Sequence, residues 1–374
     1  MSTPASAKVP ASALPRSEAG RLDWLRLARS RRVGPATFIR LIREHGSAGA
    51  ALAALPAMAA EAGLRDYAPT SRAEAEAEWA AAAAAGARPL LLGAPDYPPL
   101  LATAADPPPF LWALGDPALA ARPAVGLVGA RNASALGARM ASQLAADLGA
   151  AGLVVVSGLA RGIDAAAHRA ALATGTIAAE AGGIDVVYPA ENAELAASIA
   201  AAGLRLSEMP MGHAPRAQDF PRRNRIISGI ALGIVVVEGA LRSGSLITAR
   251  NALDQGREVM AVPGNPMDAR AGGCNQLIRD GATLIRSAAD VLEALSLAGP
   301  SGTVPAPSPA SSLPAPAPDL PARLVELLGP TPTAEDLLIR DLAAPPAAVA
   351  AALLDLEMTG RILRHPGGLV SMRV

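Results

Sequence analysis

The sequence predicts an α/β protein: a doubly wound, mainly parallel sheet, with a helical segment before it and a small helix-and-hairpin module after it. Three observations carry this. Short apolar runs (Val125–Val128, Leu153–Val156, Thr176–Ala179, Leu204–Leu206, Gly233–Val237 and Glu258–Val262) alternate with helical stretches such as Ser134–Ala150. Continuous apolar strands between helices belong to a parallel sheet covered on both faces. The chain between those runs turns on Gly, Ser and Arg. Low-complexity Ser/Pro/Ala stretches bracket the structured part, and they set the expected boundaries. These are a disordered tail over 1–20, a helical domain over 21–89, a connector over 90–115, the α/β domain over 116–298, a Pro/Ala linker over 299–321 and a terminal module over 322–374.

Each element follows from its residues. Leu22, Leu25 and Leu27, then Phe38, Ile39, Leu41 and Ile42, recur at helical spacing, with Gly34-Pro35 punctuating two helices and Gly46-Ser47 opening a third. A helix, turn and helix with glycine at the turn can hold a DNA phosphate, but a small packing domain is the commoner use. The acidic run Glu74, Glu76, Glu78 marks an exposed helix. Asp96 to Gly115, with Asp106-Pro-Pro-Pro, reads as an irregular strap. At the other end, Leu324–Leu328, Thr333–Ile339 and Pro345–Met358 are expected helices, followed by a hairpin turning at Pro366-Gly-Gly.

Composition removes several functions. The 33 basic and 33 acidic residues cancel, so a nucleic-acid site must come from local charge. The one lysine, Lys8, leaves neither a Walker-type phosphate loop nor a Schiff-base residue. One cysteine, Cys274, excludes an internal disulfide and a cysteine zinc site, and the four histidines show no ligand spacing. No cofactor or metal is expected. The N-terminus lacks a secretory pattern, and the apolar run Ile226–Val237 is too short for a bilayer, so a soluble cytoplasmic protein without a membrane segment is expected.

Ligands of such sheets bind beyond the carboxyl ends of the strands. Three loops there combine Gly, Ser and Arg: Gly129-Ala-Arg-Asn-Ala-Ser, Ser157-Gly-Leu-Ala-Arg-Gly-Ile-Asp and Gly239-Ala-Leu-Arg-Ser-Gly-Ser. Each alone fits an ordinary strand-to-helix turn. Together they suggest a phosphate-binding rim, with helix-start N–H groups and Arg forks as donors. A nicotinamide site is disfavoured, because Gly-x-Gly-x-x-Gly is missing and the second strand ends in Ser157 where a ribose-binding carboxylate belongs. Phe220-Pro-Arg-Arg-Asn-Arg places Arg222, Arg223 and Arg225 at a helix start, against the dipole, which favours an anionic partner. No catalytic set is apparent. Glu180, Glu208 and Glu238, each near a strand end, keep a carboxylate-assisted glycosidic or phosphoribosyl reaction open.

These residues strongly resemble the DNA-processing protein A family (DprA, also called Smf). The matching segments are Val128-Gly-Ala-Arg-Asn, Val156-Ser-Gly-Leu-Ala-Arg-Gly-Ile-Asp-Ala-Ala-Ala-His, Gly183-Ile-Asp-Val-Val-Tyr-Pro, Phe220-Pro-Arg-Arg-Asn-Arg-Ile-Ile, Arg242-Ser-Gly-Ser-Leu-Ile-Thr-Ala-Arg, Ala261-Val-Pro-Gly and Gly273-Cys-Asn-Gln-Leu-Ile. They run over roughly 116–286 with fixed spacing. The resemblance implies an extended Rossmann domain, a sterile-alpha-motif-like N-terminal domain and a C-terminal winged helix. It further implies a homodimer, with Asn275 to Leu284 at the dimer face, that is not an enzyme. Such a protein binds single-stranded DNA and loads RecA recombinase onto incoming strands in natural transformation. Carried over by motif, the DNA site comprises Gly129, Arg131, Asn132, Gly158, Arg161, Gly162, Arg222, Arg223, Arg225, Ser243, Gly244 and Ser245.

Two departures stand out. Ala190 follows Tyr188-Pro189 where the family often has a DNA-binding lysine, and Glu180 replaces an apolar strand residue, where it could pair with a pocket arginine or repel phosphate. The scarcity of aromatic residues argues for electrostatic binding over base stacking. The terminal module fits a winged helix by its own pattern, but its five arginines face six acids, which favours partner binding over duplex reading. The alternatives are a Rossmann-type phosphoribohydrolase, disfavoured by the arginine in Thr248-Ala-Arg where an acid is required, and a protein-binding adaptor.

Overall fold

The computed structural model describes residues 9–297 and 320–373. The six apolar runs become the parallel strands β3 (Ala124–Val128), β4 (Val154–Ser157), β5 (Thr176–Glu180), β6 (Leu204–Ser207), β7 (Gly233–Val236) and β8 (Glu258–Ala261), preceded by β1 (Arg88–Leu91) and β2 (Phe110–Gly115) and followed by β9 (Thr283–Leu284). The nine strands lie in the order β1-β2-β6-β5-β4-β3-β7-β8-β9. The chain builds outward from β3 to β6, then crosses over to β7 on the other side of β3. The C-terminal ends of β3 and β7 therefore bound a topological switch point, where α/β sheets open a crevice.

The helices before the sheet are α1 (Glu18–Arg29), α2 (Pro35–His45), α3 (Ala48–Glu61) and α4 (Arg72–Ala84). Each of α1, α3 and α4 starts on a serine whose hydroxyl accepts a first-turn N–H, and Ser71 with Glu74 completes a capping box. Within the sheet domain the helices are α5 (Ala135–Ala150), α6 (Ile163–Ala171), α7 (Ala193–Ala202), α8 (Asp219–Ile230), α9 (Gly244–Asp254), α10 (Gly272–Arg279) and α11 (Ala288–Ala294). Val125, Leu127, Val155 and Val235 pack under α5, α6 and α11, while Val154, Val156, Ile177 and Ile234 pack under α8 and α9. Apolar residues on both faces explain the continuous runs in the sequence.

Three expected boundaries move. Of the tail expected over 1–20, residues 1–8 lie outside the described ones, but Val9 and Ala13 are buried and α1 begins at Glu18. The connector expected over 90–115 carries sheet at both of its ends: β1 pairs antiparallel with β2, and β2 with β6. Its Phe110 and Trp112 form an edge-on aromatic cluster with Trp79 of α4, which welds the helical domain to the sheet edge. A polar network reinforces that weld. Arg29 pairs with Glu78 at 2.8 Å, Glu78 accepts from Trp112 Nε1 at 2.7 Å, and Arg29 Nη1 donates to the Glu208 carbonyl at 2.8 Å. Of the linker, 299–319 lie outside the described residues, and Leu320 already opens the next helix.

That helix, α12 (Leu320–Leu327), is followed by β10 (Thr333–Ala334), α13 (Glu335–Leu342), α14 (Pro346–Met358), β11 (Ile362–His365) and β12 (Leu369–Met372), with strand order β10-β12-β11. The module docks on the sheet domain. Arg270 donates to the carbonyls of Glu326 and Leu328 at 2.8 Å, Arg139 lies 3.8 Å from Asp341, and Ala135 packs among the module's core residues.

Glu180 resolves simply. It is buried on β5 and receives two hydrogen bonds from Arg205 of β6, at 2.5 and 2.9 Å, and Arg205 also donates to the Ile184 carbonyl. This carboxylate is an internal counter-ion and does not face the crevice as a repelling charge. Removing one member strands the other in the core. Glu180→Ala or Arg205→Ala should each lower unfolding stability by about 3–5 kcal/mol, read as a drop in urea midpoint, and the double variant Glu180→Leu/Arg205→Met should recover most of it.

Candidate nucleic-acid interface

The crevice is floored by a buried cation. Arg223 of α8 is 5% exposed, and its Nη1 donates to the Ala179 carbonyl at 2.8 Å. Its electrostatic partners are Asp164 and Glu180, while burial pushes its own ionisation downward. The guanidinium fits only because residue 158 is glycine, since a Cβ there would lie 1.8 Å from Arg223 Nη1. Asp164, on the first turn of α6, accepts from Gly158 N at 3.0 Å, and burial raises its pKa against the pull of Arg223. Leu159 then adopts a left-handed φ of 55°, fixed by its N–H to His168 Nε2 at 3.3 Å and by Asn192 donating to its carbonyl at 3.0 Å. The loop after β4 is thus fixed before any ligand arrives.

His168 is a satisfied core residue. Thr176 Oγ1 donates to the Val155 carbonyl, so His168 Nδ1 donates to Thr176 Oγ1 at 2.7 Å and its Nε2 accepts. Gly162, at φ 72°, is required because a Cβ would lie 2.3 Å from the Ala130 carbonyl, and a Cβ on Gly129 would meet Ile163. These loop glycines answer to packing between neighbouring loops. Gly244 differs, since a Cβ there would meet open space.

Above this floor a cleft of about 680 Å³ is lined by Arg131, Tyr188, Phe220, Ser243, Gly244 and Ser245, among others. Arg131 is exposed and lies over the Phe220 ring at 5.0 Å, with Tyr188, itself 51% exposed, 5.6 Å from Phe220. A guanidinium and two rings together offer both phosphate contact and stacking faces. Against the expectation that a shortage of aromatic residues disfavours stacking, two of the chain's nine aromatic side chains line this cleft. A side recess of about 250 Å³ adds Gly158, Arg161, Ala190 and Glu191. Glu191 stands 3.7 Å from Arg161, both more than half exposed, so the position beside Ala190 carries an acid and no lysine. Asn132 is exposed next to Arg131. Ser243 and Ser245 share a hydrogen bond at 2.7 Å at the start of α9, and Asn224 donates to the Gly244 carbonyl.

Two of the expected phosphate ligands take partners within the protein. Arg223 lines the floor of the cleft with its Nη1 on the Ala179 carbonyl. Arg225 pairs with Glu208 at 2.6 Å and with Asp106 at 3.3 Å, tying α8 to the strap below β2. The burial of Arg223 beside Ile226, Ile227 and Ile230 on one helical face explains the split. Arg222 is exposed on the first turn of α8, outside the lining of the cleft.

The strand-end carboxylates are occupied. Glu180 holds Arg205 and Glu208 holds Arg225. Glu238 accepts from the N–H and the hydroxyl of Ser134, the N-cap of α5. Cys274 is buried, which pushes its thiol up to about 12. No group of three or more metal-ligating side chains occurs among the described residues, and no helix there is long and apolar enough by itself to cross a membrane.

Two outcomes follow. Arg223→Ala should cost about 3–5 kcal/mol of stability by leaving Asp164 buried without its cation, whereas Arg222→Ala should stay within about 0.5 kcal/mol, both by urea denaturation. Burial, aided by Arg223 and Arg169, lowers the His168 pKa from 6.5 to about 3. Its stabilising effect is complete above the unfolded value. It is lost as the pH falls toward the folded one, because the unfolded chain takes a proton the native state refuses. Over that window stability should fall with a slope approaching about 1.4 kcal/mol per pH unit, and His168→Gln should flatten the profile.

Comparison with known proteins places this geometry. The family model for DNA recombination-mediator protein A matches residues 88–296, that for a DprA-like N-terminal HHH domain matches 18–81, and that for the DprA winged helix domain matches 306–368. The Escherichia coli protein Smf is 39% identical over 251 residues, covering 66% of this chain and 67% of that protein. The Bacillus subtilis DNA processing protein DprA is 49% identical over 173 residues, covering 46% of this chain and 58% of its own length. The match thus spans less than two thirds of the Bacillus relative. The crystal structure of Streptococcus pneumoniae DprA superposes with a TM-score of 0.53 at 42% identity, over 55% of this chain and 73% of that one. A Helicobacter pylori DprA structure, described for its single-stranded DNA binding mode, gives 0.52 at 28% identity over 56% and 95%. With one family model spanning more than half of its length and two more matching the flanking segments, the chain belongs to the DNA recombination-mediator protein A family.

Proposed function

We propose that this protein binds single-stranded DNA without sequence preference in the crevice between β3 and β7, and mediates recombination by handing the strand to RecA. The observation that carries the reading is the cluster of Arg131, Phe220 and Tyr188 at the switch point. Arg131 provides a phosphate contact and the rings provide faces on which any base can stack. Arg161, Asn132, Ser243, Gly244 and Ser245 extend the polar rim. The single-stranded DNA binding mode of the Helicobacter relative supports this choice of ligand. Displacement of single-strand-binding protein, RecA loading in transformation, a homodimer through Asn275–Leu284 and a cytoplasmic setting rest on family membership. β9 at the free edge of the sheet, with Leu284 41% exposed, suits such an interface.

The phosphoribohydrolase reading needs free carboxylates, and the three at strand ends already hold other groups. Release of ribose phosphate from AMP would restore it. Fluorescence anisotropy with a labelled oligonucleotide at two salt concentrations tests the binding reading. Arg131→Ala/Arg161→Ala should weaken every sequence alike and reduce the salt slope by about 1.4, and Tyr188→Ala should cost about 1–3 kcal/mol. Losses confined to some sequences would contradict it.

A further inference from the structure

The terminal module has a surface that reads duplex DNA in many winged helices, and here that surface is unsuited to it. On α14 the exposed residues include Ala347, Ala350, Ala351, Leu354 and Met358, and the helix carries no basic residue at all. A major-groove reader presents cations. The module's opposite side is different. It forms one wall of an open cleft of about 790 Å³ whose other wall is the sheet domain. The sheet side supplies Arg131, Asn132, Arg161 and Ser243, and the module supplies Leu328, Gly329, Pro330, Met372 and Arg373. Arg131 and Ser243 also line the crevice described above, and Arg131 and Arg161 line its side recess. The three hollows therefore form one groove that turns about Arg131.

Cations outnumber acids along this extension, where Arg131, Arg161, Arg270 and Arg373 stand against Asp268 and Glu326. Asp268 is neutralised by Arg270 at 3.1 Å, and Arg270 also anchors the module through the Glu326 and Leu328 carbonyls. Arg373 is exposed and makes no ion pair among the described residues. Its main-chain N–H donates to the Arg361 carbonyl at 3.0 Å, which fixes the backbone from which the guanidinium projects. The contact of Arg139 with Asp341 and the packing of Ala135 hold the module in this pose from the side away from the groove.

We propose that the docked module forms the second wall of the single-strand path, so that a strand leaving the Arg131–Phe220–Tyr188 cluster continues between the sheet domain and the β12 end, with Arg373 contacting its phosphates. On this arrangement the winged helix contributes to strand binding through its C-terminal edge, while α14 does not touch DNA. The inference rests on the crevice being the strand site, and its test keeps the two apart.

Full-length protein is titrated with a short oligothymidylate of about 6 nucleotides, which fills the crevice, and with a longer one that also spans the cleft. Arg131→Ala should weaken both, and its failure to weaken the short one would overturn the crevice itself. Arg373→Glu should leave the short oligonucleotide unchanged, weaken the longer one several-fold and lower its salt slope by about 0.7. Asp341→Arg, which sets two cations against each other outside the groove, should undock the module and give the same selective loss despite the added positive charge. Equal losses on both lengths, no loss on either, or tighter binding by Asp341→Arg would overturn the second wall.

Discussion

The placement of one guanidinium inside the sheet domain sets the shape of everything around the crevice. Arg223 enters from α8, caps the end of β5 through the Ala179 carbonyl and faces Asp164 at the start of α6. A buried cation is tolerated only when acceptors and counter-charges surround it, so the β4 loop must approach closely enough to supply them. That approach demands glycine at 158, and Asp164 then orders the loop by taking the Gly158 N–H. Leu159, His168 and Asn192 complete a loop with one accessible conformation. Arg161 in this loop and Arg131 in the loop beside it stand on a scaffold whose hydrogen bonds are complete without ligand, which lowers the ordering cost on binding.

A chain with no net charge can still build a cationic groove, because its arginines divide between two kinds of work. Arg29, Arg205, Arg225 and Arg270 hold Glu78, Glu180, Glu208 and Asp268, and Arg29 and Arg270 also fasten the flanking domains to the sheet domain. Arg131, Arg161 and Arg373 line the groove and remain exposed. Arginine suits both tasks, since its planar fork satisfies several carbonyl or carboxylate oxygens inside the protein and presents the same fork to phosphate outside. The clustering of Tyr188 and Phe220 adds what charge alone lacks, a face for bases. On the proposed reading such a groove suits a flexible single strand, whose bases are free to stack, more than a stiff duplex.

Much of this was legible in the sequence. The parallel strands follow from runs such as Leu153–Val156, because burial on both faces leaves no alternation to misread, and the sequence placed Arg131, Arg161 and Ser243 in loops beyond strand ends, where the structure has them. The failures have physical causes. Phe110 to Gly115 follows three prolines and reads as a strap, yet its apolar side chains and its pairing with β6 make it a strand. Val9 and Ala13 sit in Pro-rich sequence, and tertiary packing buries them, Val9 beside Gly93. In Arg222, Arg223 and Arg225 the identical residue type hides three environments: helical phase puts Arg223 with the isoleucines, Arg225 falls beside Glu208, and Arg222 meets water. The aromatic deficit was a property of the whole chain and said nothing of two rings brought together from positions 188 and 220.

The most direct test of this account asks where a bound strand lies. Iodouracil-substituted single-stranded DNA is bound, irradiated and mapped by mass spectrometry on the cross-linked peptides. The account predicts attachment at Tyr188 and Phe220, lost on competition with unlabelled single strand and persisting with duplex. Cross-links that map to α14, or to the helical domain with none in the crevice, would contradict it.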